Sequence, residues 1–183
     1  MRLLRVLTPC LTVLSVLSTP VMTFAKASHD AVNATDGPDI VKFIQCKATA
    51  QEYNAFAFEF ADNEKKAKQW GWKKAKAGKG MLSVYTLAKP INVYGERTAR
   101  IAFSGSGIVA FLAAGRAPAL VQELGLAPIH QGSQAKVYGK TISFSKEKVG
   151  DQLITSLTQV SVSTSAAYQN ATLVGCSYSV NFE

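Results

Sequence analysis

The chain has 183 residues, of which 48% are hydrophobic, and its 20 basic and 12 acidic residues give a net charge of +8. This length, less an N-terminal leader, is typical of one domain and is sufficient to bury a core. It excludes a large multidomain assembly, and no apolar run after the leader is long enough to span a membrane.

The first 27 residues have the pattern of a secretory signal peptide. Arg2 and Arg5 form a positive start, and an apolar stretch without acids follows from Val6 to Phe24. Ala25 and Ala27 are the small residues that a cleavage site requires. The alternative is an uncleaved membrane anchor, because the apolar stretch is close to spanning length.

We therefore predict three segments along the chain. Residues 1–27 are a signal peptide, 28–38 are a small, polar, disordered leader, and 39–183 are a single domain. The protein is then periplasmic or secreted after cleavage near Ala27. The sequence does not identify the host.

Two cysteines remain after the signal peptide, because Cys10 lies within it. An even pair in an oxidising compartment predicts a disulfide between Cys46 and Cys176. Two buried free thiols are the alternative. A redox-active pair is disfavoured because the chain has no Cys-x-x-Cys motif.

Helical signals come early in the domain, after a short apolar stretch from Ile40 to Ile44. Thr49 and Glu52 match a capping box, and Tyr53, Phe56 and Phe60 recur at helical spacing, which predicts a helix over about 50–61. Alternation of Phe56, Phe58 and Phe60 would also fit a strand. A second helical turn is predicted to end at Gly71, and a later helix runs from Pro118 to Gly125.

Residues beyond Leu82 are mainly β-forming, with Pro90, Gly95-Glu96 and 104–107 as interruptions or turns. The predicted strands are Leu82–Leu87, Ile91–Tyr94, Thr98–Phe103, Ile108–Leu112, 136–145, 154–163 and Thr172–Phe182. We therefore predict an α+β fold: a single domain with a mainly antiparallel sheet, two or three short helices and one disulfide.

A weak internal echo suggests two halves, each a helix followed by sheet. Trp70-Gly71-Trp72 and Leu124-Gly125-Leu126 each end a predicted helix, and Val93-Tyr94-Gly95 and Val137-Tyr138-Gly139 each follow later. Whether these short matches are a true repeat stays open at this point.

The strongest local signal is a lysine-rich segment with no acid in it, interleaved with two tryptophans. Its members are Lys65, Lys66, Lys68, Trp70, Trp72, Lys73, Lys74, Lys76 and Lys79. Clustered lysines attract anions and tryptophan can stack on bases or sugars, so the segment is a candidate anion-binding site. The alternative is a solvated helix end with one tryptophan in the core. The window has no arginine, so bidentate phosphate recognition is not indicated.

Other motifs do not form a catalytic or metal site by their spacing. Gly105-x-Gly107-x-x-Ala110 resembles a dinucleotide fingerprint, but its context predicts a hairpin turn. His29 and His130 lack the partners of a metal site, so no metal and no cofactor are predicted. Ser104 or Ser106 could pair with His130 only through the fold.

Three stretches carry a resemblance to other proteins: Cys46–Trp72, Ala88–Gly95 and the closing Leu173-Val-Gly-Cys-Ser-Tyr178. Together they resemble a loose group of uncharacterised exported (periplasmic or secreted) bacterial proteins that share a closing Gly-Cys-Ser-Tyr strand. The resemblance implies a periplasmic or secreted bacterial protein and supplies no activity.

The sequence favours a non-enzymatic binding or interaction protein of the cell envelope. Its expected partner is an anionic envelope polymer or membrane surface that contacts the lysine-rich segment, and specific nucleic acid binding is not expected. A small hydrolase with a Ser–His pair is one alternative. An inhibitor or partner of another envelope protein, using a hydrophobic sheet face, is the other.

Overall fold

The computed structural model describes residues 37–61, 64–76 and 82–183. The predicted signal peptide and the predicted leader up to residue 36 lie outside these ranges, as does Lys79. Gly37 and Pro38, which were predicted to belong to the disordered leader, instead line a cavity beside Trp70.

The described residues form four α-helices, eight β-strands and one short 3₁₀ helix. The helices are α1 (Ile40–Ile44), α2 (Ala50–Ala61), α3 (Glu64–Gln69) and α4 (Ala117–Leu124), and the 3₁₀ helix is Ala166–Tyr168. The strands are β1 (Lys73–Lys74), β2 (Ser83–Val93), β3 (Glu96–Ser104), β4 (Gly107–Ala113), β5 (Ala127–Gln131), β6 (Ala135–Val149), β7 (Gln152–Ser165) and β8 (Ala171–Phe182).

All eight strands belong to one antiparallel sheet, in the order β1-β2-β3-β4-β8-β7-β6-β5. The predicted α+β fold with a mainly antiparallel sheet is confirmed. The order consists of two four-strand meanders that meet where β4 pairs with β8. Helix α1 is additional to the predicted helices, since its five residues were expected only as an apolar stretch.

Helix α2 begins at the predicted capping box. The Thr49 backbone N–H donates to a carboxylate oxygen of Glu52 at 2.8 Å, and the Glu52 N–H donates to the Thr49 hydroxyl oxygen at 3.2 Å. The bond from the Thr49 backbone, followed by hydrogen bonds from the Lys42 ammonium and the Thr49 hydroxyl, holds the pKa of the Glu52 carboxyl below its ordinary value. Phe56 is buried whereas Phe58 is 79% exposed, so the helical interpretation of this run is confirmed over the strand.

Helices α1, α3 and α4 share one C-terminal capping pattern. After α3 and α4, Gly71 and Gly125 adopt positive φ and donate to a carbonyl three residues back. Trp72 and Leu126 then donate to a carbonyl five residues back, which completes a Schellman motif. The glycine part of the sequence echo is therefore matched in structure, and each motif leads into an edge strand, β1 or β5.

Cys46 takes the glycine position of the same motif after α1. It has φ of 55°, it donates to the Phe43 carbonyl at 3.3 Å, and Lys47 donates to the Lys42 carbonyl at 2.8 Å. A residue with a Cβ is disfavoured in this left-handed region by roughly 1–2 kcal/mol. The predicted disulfide to Cys176 is confirmed, so a covalent bond holds this strained residue in place.

The helices pack on one face of the sheet around an aromatic and aliphatic core. Tyr178 of β8 is its centre, because its ring stacks on Tyr53 of α2 at 4.5 Å and its hydroxyl donates to the Phe43 carbonyl of α1 at 2.8 Å. Together with Cys176, Tyr178 connects helices α1 and α2 to β8, the strand at which the two meanders join.

Two details differ from the sequence-based expectation. Pro90 does not end a strand, since β2 continues past it. The register shifts between Thr86 and Ile91, so no paired backbone N–H is needed at the position of the proline. The Val-Tyr-Gly part of the echo is not equivalent in the two halves. Tyr94 and Gly95 form the β2–β3 turn, whereas Tyr138 lies inside β6.

We expect removal of the disulfide by Cys46→Ser with Cys176→Ser to lower the free energy of unfolding by up to about 5 kcal/mol, because the bridge closes a loop of 130 residues. In the same Cys176→Ser background, Cys46→Gly should be more stable than Cys46→Ser by about 1 kcal/mol, since glycine accepts the left-handed backbone. Urea unfolding of the three proteins measures both differences. Equal stability of the glycine and serine variants would contradict the capping argument.

We expect Gly175→Ala to destabilise the protein by about 2–3 kcal/mol or more, because β8 approaches β4 closely there. An added Cβ would lie 2.7 Å from the Val109 Cα and closer still to the Ile108 carbonyl oxygen. Gly150→Ala is the matched control, since its Cβ would meet nothing within 4 Å and only its positive φ of 61° opposes it. Thermal unfolding of both variants measures the two losses of stability. An equal loss of stability in Gly175→Ala and Gly150→Ala would contradict the prediction.

Candidate functional site

The lysine-rich segment runs from α3 through the following turn onto the edge strand β1. Lys65, Lys68, Lys73 and Lys76 are exposed and form no ion pair with a described residue; we call these four side chains the lysine surface. Lys66 differs from them because it is half-buried and pairs with Glu59 of α2. Four of the predicted lysines are thus exposed cations on α3, on the edge strand β1 and just after it, and Lys68 and Lys73 line one depression.

The two tryptophans of the segment belong to the core. Trp72 is 7% exposed and packs against Phe60, with ring centroids 5.6 Å apart, and against Tyr85. Trp70 is half-buried and stacks on Phe60 with an interplanar angle of 6°. The Trp72 ring is therefore not free to stack on a base or a sugar, because the hydrophobic effect places it under α3.

A groove passes from the lysine surface along the boundary between α2 and the sheet. Its first depression, of about 350 Å³, is lined by Ala67, Lys68, Trp72, Lys73, Lys74 and Tyr85. The next, of about 260 Å³, shares Lys74 and Tyr85 with the first and adds Tyr53, Ala57, Phe60, Ser83, Phe103 and Gly105.

The third depression is the largest, at about 690 Å³, and shares Ala57 and Gly105 with the second. Its other lining residues are Asn54, Phe58, Ser106, Tyr178, Ser179, Val180, Asn181 and Phe182. Because neighbouring depressions share lining residues, they adjoin one another and form one row. We call it the amphipathic groove, with a cationic end at Lys68 and Lys73 and an apolar end at Phe58, Val180 and Phe182.

This groove has no counterpart among the predictions made from the sequence. Phe58 comes from α2 and Phe182 from the end of β8, and only the fold brings these distant segments together. The available signal was the position of Phe58, which lies outside the buried helical stripe and is 79% exposed. Phe182, 66% exposed, similarly continues the alternating apolar face of β8 beyond the core.

None of the four described α-helices packs on the opposite face of the sheet, where Tyr168 of the 3₁₀ helix lies. The small apolar cluster of this face centres on Phe111 and Leu173, and Tyr168 and the Arg100 guanidinium lie against the Phe111 ring at 5.4 and 4.6 Å. Elsewhere the strand register places hydroxyl and amide side chains on this face, among them Gln159, Ser161, Ser163 and Ser177.

The structure does not bring the proposed Ser–His pair together. Ser104 ends β3 and Ser106 lies in the following turn, whereas His130 lies on the edge strand β5. Strands β4, β8, β7 and β6 lie between β3 and β5, which is a separation of more than about 20 Å at ~4.8 Å per strand. The hydrolase prediction is therefore wrong for this pair, since general-base catalysis needs hydrogen-bond contact.

Metal and nucleotide chemistry find no further support. Within residues 37–61, 64–76 and 82–183, no three His, Cys, Asp or Glu side chains converge to hold a metal ion. Gly105 lies in the hairpin turn between β3 and β4, as predicted, with φ of 42°, and no helix begins there to face a phosphate. Among the helices described, none has the length and hydropathy that crossing a membrane requires.

The buried tyrosines beside the groove are structural. Burial raises the pKa of Tyr53 and of Tyr178 above the ordinary value of a phenol. Both phenols therefore stay protonated at neutral pH, and the Tyr178 hydroxyl is already used by the Phe43 carbonyl. This arrangement gives the groove a neutral, aromatic floor and no general base.

Comparison of the chain with family models, with curated proteins and with solved structures finds no match in any of the three. The resemblance to exported bacterial proteins therefore stays a prediction.

We expect Trp72→Ala to lower the free energy of unfolding by about 3–5 kcal/mol, because the indole is buried among Phe60, Trp70 and Tyr85. Lys73→Gln, at the adjacent exposed position, should change it by less than about 0.5 kcal/mol. Urea unfolding followed by circular dichroism measures both. A mild effect of Trp72→Ala would contradict the core assignment of this ring.

Proposed function

We propose that this protein is an exported, non-catalytic binding protein of the bacterial cell envelope, and that its lysine surface contacts an anionic envelope component. The observation that carries the proposal is the set of four exposed lysines, without ion-pair partners among the described residues, at one edge of the sheet. Such a cluster creates a local positive potential that an anionic surface or polymer neutralises.

Export is supported by two independent features. The N-terminal sequence has the charge, apolar stretch and small residues of a cleaved signal. Cys46 and Cys176 form a disulfide, which persists in the oxidising periplasm or outside the cell and is rare in the cytosol.

A binding role is favoured over catalysis by the way the polar residues are distributed. The serines of the β3–β4 region and the only described histidine lie on distant strands, and the buried tyrosines are neutral and structural. The described residues present instead a charged edge and an apolar depression, which are the elements of a contact surface.

Among anionic envelope components, an anionic membrane surface is the partner that we test first. Each lysine close to an anionic bilayer contributes about 1 kcal/mol to binding, which corresponds to roughly fivefold in affinity. Four exposed lysines therefore suffice for measurable, salt-sensitive association. Lysine, as a flexible point charge, suits a fluid array of headgroups better than a fixed bidentate site.

We expect the protein to bind vesicles that contain phosphatidylglycerol and to bind pure phosphatidylcholine vesicles much more weakly. Changing Lys65, Lys68, Lys73 and Lys76 together to Gln should weaken binding to the anionic vesicles by at least about a hundredfold, because the attraction is electrostatic. Raising the salt concentration should also weaken the binding of the unmodified protein to the anionic vesicles. Vesicle co-sedimentation at several salt concentrations measures these differences.

The matched control changes four exposed lysines of β6, Lys136, Lys140, Lys146 and Lys148, to Gln. It removes the same number of charges but leaves the lysine surface intact, so it should retain most of the binding. An equal loss in the two variants would show a net-charge effect rather than a surface. Unchanged binding by the first variant would overturn the proposal.

A further inference from the structure

The amphipathic groove is a row of adjoining depressions whose two ends differ chemically. At its cationic end, Lys68 and Lys73 line the same depression as the buried rings of Trp72 and Tyr85. At its apolar end, Phe58 and Phe182 are exposed to 79% and 66% although neither is required by the core. Exposed phenylalanines facing one depression indicate a surface that a ligand covers.

The groove extends across five neighbouring strands. Its lining passes from β1 over β2, β3 and the β3–β4 turn to β8, which is four steps in the strand order. At ~4.8 Å per step this path is about 19 Å long. The largest depression alone holds about 690 Å³, within the range of known small-molecule pockets.

The middle depression of the groove has a floor of aromatic rings that pack against one another. Phe60, Tyr85 and Phe103 line it, and their ring centroids lie 4.8 to 5.8 Å apart. The depression there holds only about 260 Å³, so it suits a single extended chain rather than a folded peptide or a pair of chains. A slender apolar chain with a charge at one end therefore matches the groove, which passes from a cationic end over aromatic rings to an apolar end.

We propose that the amphipathic groove binds a single-chain anionic amphiphile derived from membrane lipid, with its anionic head at Lys68 and Lys73 and its hydrocarbon chain against Phe60, Phe103, Phe58 and Phe182. This inference rests on the proposed function, because it names the class of anionic component that the lysine edge takes. It assigns the head to the lysines by charge and the chain to the phenylalanines by hydrophobic burial.

Each part of the groove excludes a simpler ligand. A free anion would use the lysines and leave Phe58 and Phe182 exposed, and a neutral apolar molecule would gain nothing from Lys68 and Lys73. A cationic amphiphile of the same chain length would meet like charges at the head position, which is unfavourable. The proposal therefore predicts an order of affinities and not only an affinity.

The test titrates the purified protein with dodecyl phosphate below its micelle concentration and follows binding by calorimetry and by tryptophan fluorescence, since Trp72 lines the head position. We expect dodecyl phosphate to bind at least about tenfold more tightly than dodecyltrimethylammonium or inorganic phosphate. Dodecyl phosphate binding no better than either comparison compound would overturn the proposal.

Two pairs of variants locate the binding, and each has a matched control elsewhere on the sheet. Lys68→Gln with Lys73→Gln should weaken dodecyl phosphate binding about tenfold or more, whereas Lys146→Gln with Lys148→Gln should not. Phe58→Ser with Phe182→Ser should weaken it similarly, whereas Phe144→Ser, at a residue 63% exposed on the other face, should not. All these side chains are exposed, and near-ultraviolet circular dichroism confirms that each variant is folded.

Failure of this inference can be told apart from failure of the proposed function. Lys65→Gln with Lys76→Gln removes lysines that do not line the groove, so it should reduce vesicle binding and leave dodecyl phosphate binding unchanged. Vesicle binding that depends on the lysine surface, together with dodecyl phosphate binding that ignores the phenylalanine changes, would overturn the groove alone. Absence of lysine-dependent vesicle binding, together with intact dodecyl phosphate binding, would overturn only the proposal that the lysine surface contacts an anionic membrane.

Discussion

The fold depends on the connection between its first helices and its last strand. Cys176 bonds to Cys46, and Tyr178, two residues further along β8, packs on Tyr53 and donates to the Phe43 carbonyl. Strand β8 is also the strand at which the two meanders meet. One strand therefore fixes both the order of the sheet and the position of the helices upon it, and it contributes Val180 and Phe182 to the groove as well.

The groove is a consequence of how little helix this sheet has. Helix α2 is 12 residues long, about 18 Å, whereas eight strands at ~4.8 Å are nearly twice as wide. Helix α2 covers Tyr178 and leaves the end of β8 beside it open as a depression. Apolar residues of that depression, such as Phe58 and Phe182, remain in contact with water until something else lies against them.

Local signals in the sequence predicted much of this structure. The capping box at Thr49, Gly125 after α4, the alternation in β8 and the cysteine pair each depend on a few neighbouring residues or on one covalent rule. Features that depend on distant segments were not predictable. The choice of Trp72 as the tryptophan in the core, the wide separation of Ser104 from His130 and the groove itself follow from strand order, which periodicity does not specify.

The left-handed backbone of Cys46 has a consequence for when the chain can finish folding. While both thiols are reduced, the strain at this residue has no covalent bond to offset it, and helix α1 is held only by noncovalent packing. A chain whose two thiols are reduced is thus the less stable and more pliable form. Oxidation then locks the fold, so the redox state of one pair of sulfur atoms decides how firmly the first helix is seated.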